Sequence, residues 1–588
     1  MTKKHPKYSS FVNYLPYIAF FIGSFLFFGI FADYVEYYQE KISLFVFSSD
    51  YLKSSLTQPG SLLVYLGRFL TAFYYYPVAG AIIISLITCM IIYMISKIIS
   101  ILTDKKSIIL PVLFGTAFFI LQANYQYLLY NSLGAFLQLV MFYIVIRYLK
   151  GFLPVVIFPF WYFITGGFAW IFALTYTLYL SLKSVRKEWP KIISLFTFSF
   201  IVIFLLKEFF LFQPFKSLMV FPFSDENTGN QFRLFGSIIC FIVFLPLIIK
   251  WKFPVPVRIR LKEPNKLMVL SLLSLIMVIA FGLLRFDRAN KEYFHAEKLF
   301  SQGRFIEVTR YISNHPSTNR LTIYLNNVAL CETGRLTDQL FHFPQSPDGQ
   351  SLFLKWEMMG EVLRRGAYFY YTTGIINEAQ RWAFENMVMK GIAPEDLRML
   401  IKTEIVNGNY KMASKYILIL KKTLFYRNEA NGFEKLLYNE KSIESHPELG
   451  IKRKERIEHD FFSITDNPYV NVEMAFSADS LNRKLFEYKM AFLMLNEDYS
   501  GIASGLAHLE SLGYKKMPVH LQEAALVCRM SGLALPDTGS LKIDPQVETR
   551  FNQFLRMFQS YGNNLKTAQP FLKQKFGNTF WYYGFYHS

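Results

Sequence analysis

Asp33-Tyr34-Val35-Glu36-Tyr37-Tyr38-Gln39-Glu40 follows an apolar run from about Leu15 to Ala32 and opens the longest polar-bearing interruption in the first 285 residues. The interruption continues through the turn Thr57-Gln58-Pro59-Gly60 and the run Ser61-Leu62-Leu63-Val64-Tyr65-Leu66-Gly67-Arg68-Phe69-Leu70, and ends at Tyr74-Tyr75-Tyr76. On both sides of it the chain reads as membrane. The run before Asp33 suits a helix crossing a bilayer, which needs about 20 residues. Ile30-Phe31-Ala32 lacks the small residues of a cleavage site, so this helix is expected to be retained.

Further spans are expected at 77–96, 107–123, 127–146, 152–164, 167–182, 192–206, 234–249 and 267–284. The segments 152–164 and 167–182 are short and meet at Thr165-Gly166-Gly167, so they read either as a hairpin or as one bent element. Charge decides between these. Residues 1–285 hold 25 Lys+Arg against 10 Asp+Glu, while the remainder holds 37 against 33. With the hairpin counted as two crossings, the loops 1–14, 97–106, 147–151, 183–191 and 250–266 carry 18 Lys+Arg, and 33–76, 124–126, 165–166 and 207–233 carry 6. Cationic loops stay on the cytoplasmic side. This predicts nine crossings in a bacterial inner membrane, with Lys3, Lys4 and Lys7 cytoplasmic and everything after residue 285 periplasmic. Basic residues placed this way argue against a nucleic-acid partner, which would need them clustered on a soluble face.

The outer face then carries the two large loops, 33–76 and 207–233, together with Asn124, Gln126 and Asn131, and suggests an outward polar pocket. Asp33, Glu36 and Glu40 fall at i, i+3 and i+7, on one face of a helix. Such a face reads as an acid–base pair, as a seat for a divalent cation, or as a solvated helix start. Residues 61–76 read either as an amphipathic helix lying at the membrane surface or as the beginning of a tilted span. Arg68 could contact a lipid phosphate, and Lys207, Lys216 and Arg233 of the later loop are further candidate phosphate-binding residues on the same face.

A short tail, a first helix, an acid just outside it and a long loop with amphipathic pieces resemble the GT-C-fold glycosyltransferases over roughly residues 11–285. Gln58-Pro59-Gly60 and Gly67-Arg68-Phe69-Leu70 resemble the segment leading such enzymes into their second helix. The resemblance implies sugar transfer from a polyprenyl-phosphate donor on the outer face, with Asp33 and Glu36 as base or metal ligand. A second acidic motif is represented only by Asp225-Glu226. The Asp33–Tyr38 opening and the terminal Asn578-Thr579-Phe580-Trp581-Tyr582-Tyr583 also resemble a Bacteroidota family of multi-pass membrane proteins of uncharacterised function.

After Arg285 the pattern changes to amphipathic helices punctuated by glycine. Gly374 to Gly408 and Ala379 to Ala413 are each spaced by 34 residues, the tetratricopeptide period, whereas Gly303 to Gly334 is 31 and Gly334 to Gly374 is 40. The expected fold is thus all-α: a polytopic helical membrane domain, 1–285, followed by a tetratricopeptide-like repeat domain, 286–588, whose stacked pairs would offer a protein-binding surface. The charged stretch Asn439–Asp460 is expected to be solvated, and the aromatic C-terminus to dock on the last repeat. Cys331 and Cys528 read as buried thiols or a disulfide. No histidine falls at metal-ligand spacing, and no phosphate-loop or nucleophile-elbow motif is present. Two functions stay open, a polyprenyl-linked glycosyltransferase and an envelope scaffold. Transport ranks last, because the spans carry almost no ionisable residues.

Overall fold

The computed structural model describes residues 13–104, 107–211, 213–223, 229–250, 263–357, 361–457, 464, 466–562 and 564–587. The N-terminal lysines, most of the loop 250–266 and the Asp225-Glu226 pair lie outside these residues. All regular elements among those described are helices. The chain divides into two compact units, Met1–Arg288 with Lys422–Phe425, and Ala289–Lys421 with Tyr426–Ser588.

In the first unit the apolar helices alternate in direction. Leu15–Leu26, extended by the wide turn Phe27–Phe31, runs antiparallel to Pro77–Thr103. Cys89 Sγ donates to the Tyr17 carbonyl, Ser85 Oγ donates to Ser24 Oγ at 3.0 Å, and Gly29 faces Ala81. Ile109–Gln122 turns back along Pro77–Thr103, bringing Ser107 to Ser96 and Gly115 to Ile92. Leu129–Tyr148 descends beside Leu153–Thr165, where Trp161 Nε1 donates to Gln138 Oε1 at 2.7 Å and Phe168 covers Gly134. Gly229–Lys250 runs from Phe235, near Phe168, to Lys250, which donates to the Leu182 carbonyl. Glu263–Arg285 closes the unit parallel to the first helix. Their contacts climb together from Ser274 on Pro16, through Val278 on Gly23 and Gly282 on Phe27, to Phe286 beside Phe31.

Between 153 and 206 the chain reverses twice. Phe158 lies 6.4 Å from Phe172 between ring centres, whereas 14 residues of straight helix would span about 21 Å. The first reversal is at Gly166. Trp170 lies 6.3 Å from Phe196 and 5.7 Å from Phe200, so a second reversal falls between Lys183 and Lys187, inside the helical stretch Ala169–Leu206. The segments expected at 152–164 and 167–182 are therefore antiparallel arms. Among the described residues, six helices are long and apolar enough to cross a membrane: Pro77–Thr103, Leu129–Tyr148, Leu153–Lys183 (the folded stretch taken whole), Lys187–Leu211, Phe232–Lys250 and Leu267–Arg285. A seventh results if Leu15–Phe31 and Asp33–Ile42, bent by 71°, count as one. Ile109–Gln122, with 14 residues, is shorter than the usual span.

At one end of these helices, three turns interlock. The Gly60 amide donates to the Phe163 carbonyl at 2.9 Å, and Gly167 to that of Phe221 at 2.7 Å. Gln213 Nε2 donates to Gln58 Oε1, and the Tyr162 hydroxyl to the Leu218 carbonyl. Gly60 (φ +89°) and Gly166 (φ +60°) meet backbone to backbone: a Cβ on Gly166 would lie 2.5 Å from the Phe221 oxygen and 2.8 Å from Gly60 Cα. Residues 58–60, 162–167 and 213–221, which include parts of the loops that the charge count assigns to one face, meet here. Ser61–Ala72 is a separate helix, ended by Phe73–Tyr75 and an extended Tyr76 before Pro77, so it is not the start of the next span.

The second unit is a run of helix pairs. Arg288–Ser301 is followed by Phe305–Asn314, Arg320–Glu332 by Leu336–Gln339, Val362–Thr372 by Ile376–Lys390, and Pro394–Asn407 by Tyr410–Lys421. Gly303, Gly334, Gly374 and Gly408 make the turns within the pairs, all at positive φ. The short Leu336–Gln339 helix and the irregular residues after it account for the 40-residue interval. Arg365, 1% exposed, is held by Glu297, Glu361 and Glu395 at 3.3, 3.0 and 2.7 Å.

Within 439–457 most charged residues are exposed or half-exposed, as expected, and Lys452 is the exception. Lys452 is buried, donating to Glu332 at 2.9 Å, to Glu455 at 3.2 Å and to the Thr372 carbonyl. Burial pulls its ammonium below the ordinary lysine range, while Glu332 opposes that shift. Cys331 and Cys528 are free, buried thiols. The C-terminal helix Phe580–His587 docks within this unit: Phe580 donates its amide to Glu523, and the Tyr583 hydroxyl reaches the Leu495 carbonyl.

Gly166→Ala should lower the melting temperature of the detergent-solubilised protein by the equivalent of at least about 2 kcal/mol, combining backbone strain with overpacking. Gly151, also at positive φ but with nothing within 4 Å of a Cβ, should cost only about 1 kcal/mol on the same change. Equal losses would show that the junction is not tight.

Candidate functional site

The first helix breaks at Ala32, whose backbone is non-helical after the wide turn, and Asp33–Ile42 restarts it at a steep angle. Asp33 and Glu36 fall in the new first turn, where exposed amides favour negative charge. The three acids do share a face, but that face is turned inward. Asp33 is half-buried, Glu36 is 0% exposed and Glu40 is buried. A solvated helix start is thereby excluded.

Glu36 lies against Gly80, at the start of Pro77–Thr103, and near Tyr74. A Cβ on Gly80 would come within 2.6 Å of Glu36 Cγ and 3.1 Å of Tyr74 Cδ1. Only a glycine admits the acid here. Among the described residues, neither carboxylate oxygen of Glu36 nor the Tyr74 hydroxyl has a hydrogen-bond partner. Gln39, one turn on, donates Nε2 to the Tyr127 carbonyl at 2.9 Å. Gln122 Nε2 donates to Ser132 Oγ at 2.9 Å, and Ser132 in turn to the Tyr127 hydroxyl. The side-chain oxygens of Gln39 and Gln122 are also buried without a partner. These groups make up a buried polar layer in which, among the described residues, acceptor oxygens of Glu36, Gln39 and Gln122 and the Tyr74 hydroxyl are unmatched, suited to hydroxyl and ammonium donors.

The four cations named from the sequence sit on separate elements. Arg68, on Ser61–Ala72, reaches the Tyr51 hydroxyl at 3.4 Å. Lys207 pairs with its neighbour Glu208, and Lys216 and Arg233 are exposed. Asn131 is buried in the layer's vicinity, whereas Gln126 is exposed and bonds Tyr125. Among the described residues no group of three or more His, Cys, Asp or Glu is placed to hold a metal ion. Sequence reasoning missed Gln39, Tyr74, Gly80, Gln122, Tyr127 and Ser132. The available signals were a glutamine between two acids, and a glutamine and glycine inside apolar runs.

Gly80→Ala should destabilise the solubilised protein by about 1–3 kcal/mol through overpacking against Glu36. Glu36→Gln, which removes a buried charge-bearing group without changing its shape, should leave the melting temperature unchanged or raise it. A large drop for Glu36→Gln would reveal a partner that the carboxylate needs.

No curated protein and no solved structure matches the chain. A family model matches residues 7–587. The chain belongs to that family, a family of unknown function (DUF6057).

Proposed function

We propose that the protein is a multi-pass enzyme of a bacterial inner membrane that transfers a sugar from a polyprenyl-phosphate donor on the outer face, in the manner of GT-C glycosyltransferases. The observation that carries this reading is Glu36: a wholly buried carboxylate without a partner, one turn from the half-buried Asp33, at an abrupt bend in an apolar unit. Unpaired acids in such surroundings are costly and are kept for function. In this reading Asp33 takes the proton of the acceptor hydroxyl as that oxygen attacks the anomeric carbon. The bond to the donor phosphate breaks, and Arg68, Lys207, Lys216 and Arg233 serve the departing phosphate. Glu36, one turn on, is a second carboxylate beside Asp33. No step runs through a metal ion.

The topology follows the same lines. The first and last helices of the membrane unit are parallel, which supports an odd number of crossings; the cytoplasmic N-terminus and periplasmic second unit rest on the distribution of Lys and Arg among the loops. An alkaline-phosphatase reporter fused after Arg288 should be active, and a silent fusion would overturn the nine-crossing scheme. A second reading, a scaffold that recruits a protein partner through tetratricopeptide-like repeats, is favoured by the Gly-turned helix pairs of the second unit.

The deciding experiment reconstitutes the protein in vesicles and measures release of polyprenyl phosphate from a panel of polyprenyl-phosphate sugars. The wild type should release it, and Asp33→Asn should lower the rate at least about a hundredfold, the usual weight of a general base. Full activity in the inserted, folded variant, or no release by the wild type from any donor, would leave the scaffold reading in its place.

A further inference from the structure

The helix Pro545–Ser560 buries Phe551 and Phe554. Its neighbouring stripe, Gln546, Thr549, Arg550 and Gln553, spaced i, i+3, i+4 and i+7, lines a shallow groove of about 560 Å³ with Lys575 and Phe576 of the next helix. The stripe carries amides, a hydroxyl and a guanidinium, with no acid among them, whereas an ordinary solvated helix face mixes charges of both signs. Arg550 is oriented by neutral groups alone: Nη2 donates to the Lys575 carbonyl at 3.1 Å and to Asn578 Oδ1 at 2.8 Å, with the guanidinium 5.9 Å from the Phe576 ring centre. Among the described residues neither Arg550 nor Lys575 is paired with a carboxylate.

We infer that this groove binds an anionic saccharide, a glycan carrying carboxylate or phosphate groups. Two unneutralised cations supply the anion contacts. Arg550 offers the planar fork that matches carboxylate and phosphate, and Lys575 adds a mobile point charge. Gln546, Thr549 and Gln553 can each donate and accept, which suits the hydroxyls of a sugar ring. An acidic peptide would use the two cations but would leave the hydroxyl-matching row of Gln546, Thr549 and Gln553 without partners of its kind, and oligoglutamate tests that alternative. The site lies wholly within the second unit and stands independently of any chemistry at Asp33 and Glu36.

The test measures binding to the full-length protein in detergent by calorimetry. The probes are oligogalacturonate, a phosphorylated oligomannoside, neutral dextran oligosaccharide and oligoglutamate. At least one of the two anionic saccharides should bind, with affinity falling as salt rises, and dextran should not. Lys575→Gln, an exposed change that leaves the Arg550 ties intact, should weaken binding at least about tenfold, as expected for one charged hydrogen bond. Gln553→Ala should weaken it a few-fold. Binding of neither anionic saccharide, equal binding of dextran, oligoglutamate binding as tightly as the saccharides, or an affinity indifferent to Lys575→Gln would each overturn the assignment. Since Asp33→Asn leaves this groove untouched, that variant should bind as the wild type does, which separates failure here from failure of the transferase reading.

Discussion

A main-chain amide in a layer with little water has to find an acceptor, and in the first unit the amide of Gly60 finds its own at the end of the helix Leu153–Thr165 and that of Gly167 at Phe221. That exchange is feasible only because glycines stand at the contact and let three turns approach within van der Waals distance. Much of the unit follows from it. Gly60 begins the helix Ser61–Ala72, whose stripe Leu63, Gly67 and Thr71 is buried, with Gly67 pressed on Tyr130. Thr71 shares a hydrogen bond with Ser43 at the end of the acid-bearing helix. The position of Asp33 and Glu36 thus depends on backbone contacts made by residues that carry no chemistry.

Glu36 illustrates how a fold can hold a group that solvation alone would expel. Its helix start offers partial positive charge, and Gly80 offers room, yet neither supplies a hydrogen bond to its oxygens. The neighbouring acceptors of Gln39 and Gln122 are in the same condition. The unmatched groups are mostly acceptors, the oxygens of Glu36, Gln39 and Gln122, alongside the Tyr74 hydroxyl, which can also donate, and that balance identifies what would complete the layer.

The apolar helices of the first unit were legible in the sequence because an apolar run long enough to cross a bilayer has few other uses, and the reversal at Gly166 because Thr165-Gly166-Gly167 separates two short runs; the count of nine crossings rests on the charge rule alone. The glycine turns of the second unit were legible for a related reason: each ends one helix and starts the next at a positive φ, and Gly374 has the Glu455 carbonyl 2.1 Å from where a Cβ would stand. Burial of charge was not legible. The spacing of Asp33, Glu36 and Glu40 puts them on one face whether that face meets water or Gly80. Lys452 sits in a run of charges that reads as solvated, and its partner Glu332 lies 120 residues earlier in the chain. Such pairings leave no periodic trace.

The parallel packing of the first and last helices of the membrane unit has a consequence in time. The Ser274 hydroxyl that meets the Pro16 carbonyl is made 258 residues after it, which at ribosomal speeds is about 13–50 s. Throughout that interval Gly23 lacks Val278 and Phe27 lacks Gly282, so the first helix waits with one of its faces unmatched. The order of synthesis therefore makes the last helix a latch: the N-terminal helix can pack on Pro77–Thr103 once that helix is made, but its other face is covered only when nearly half the chain has been translated.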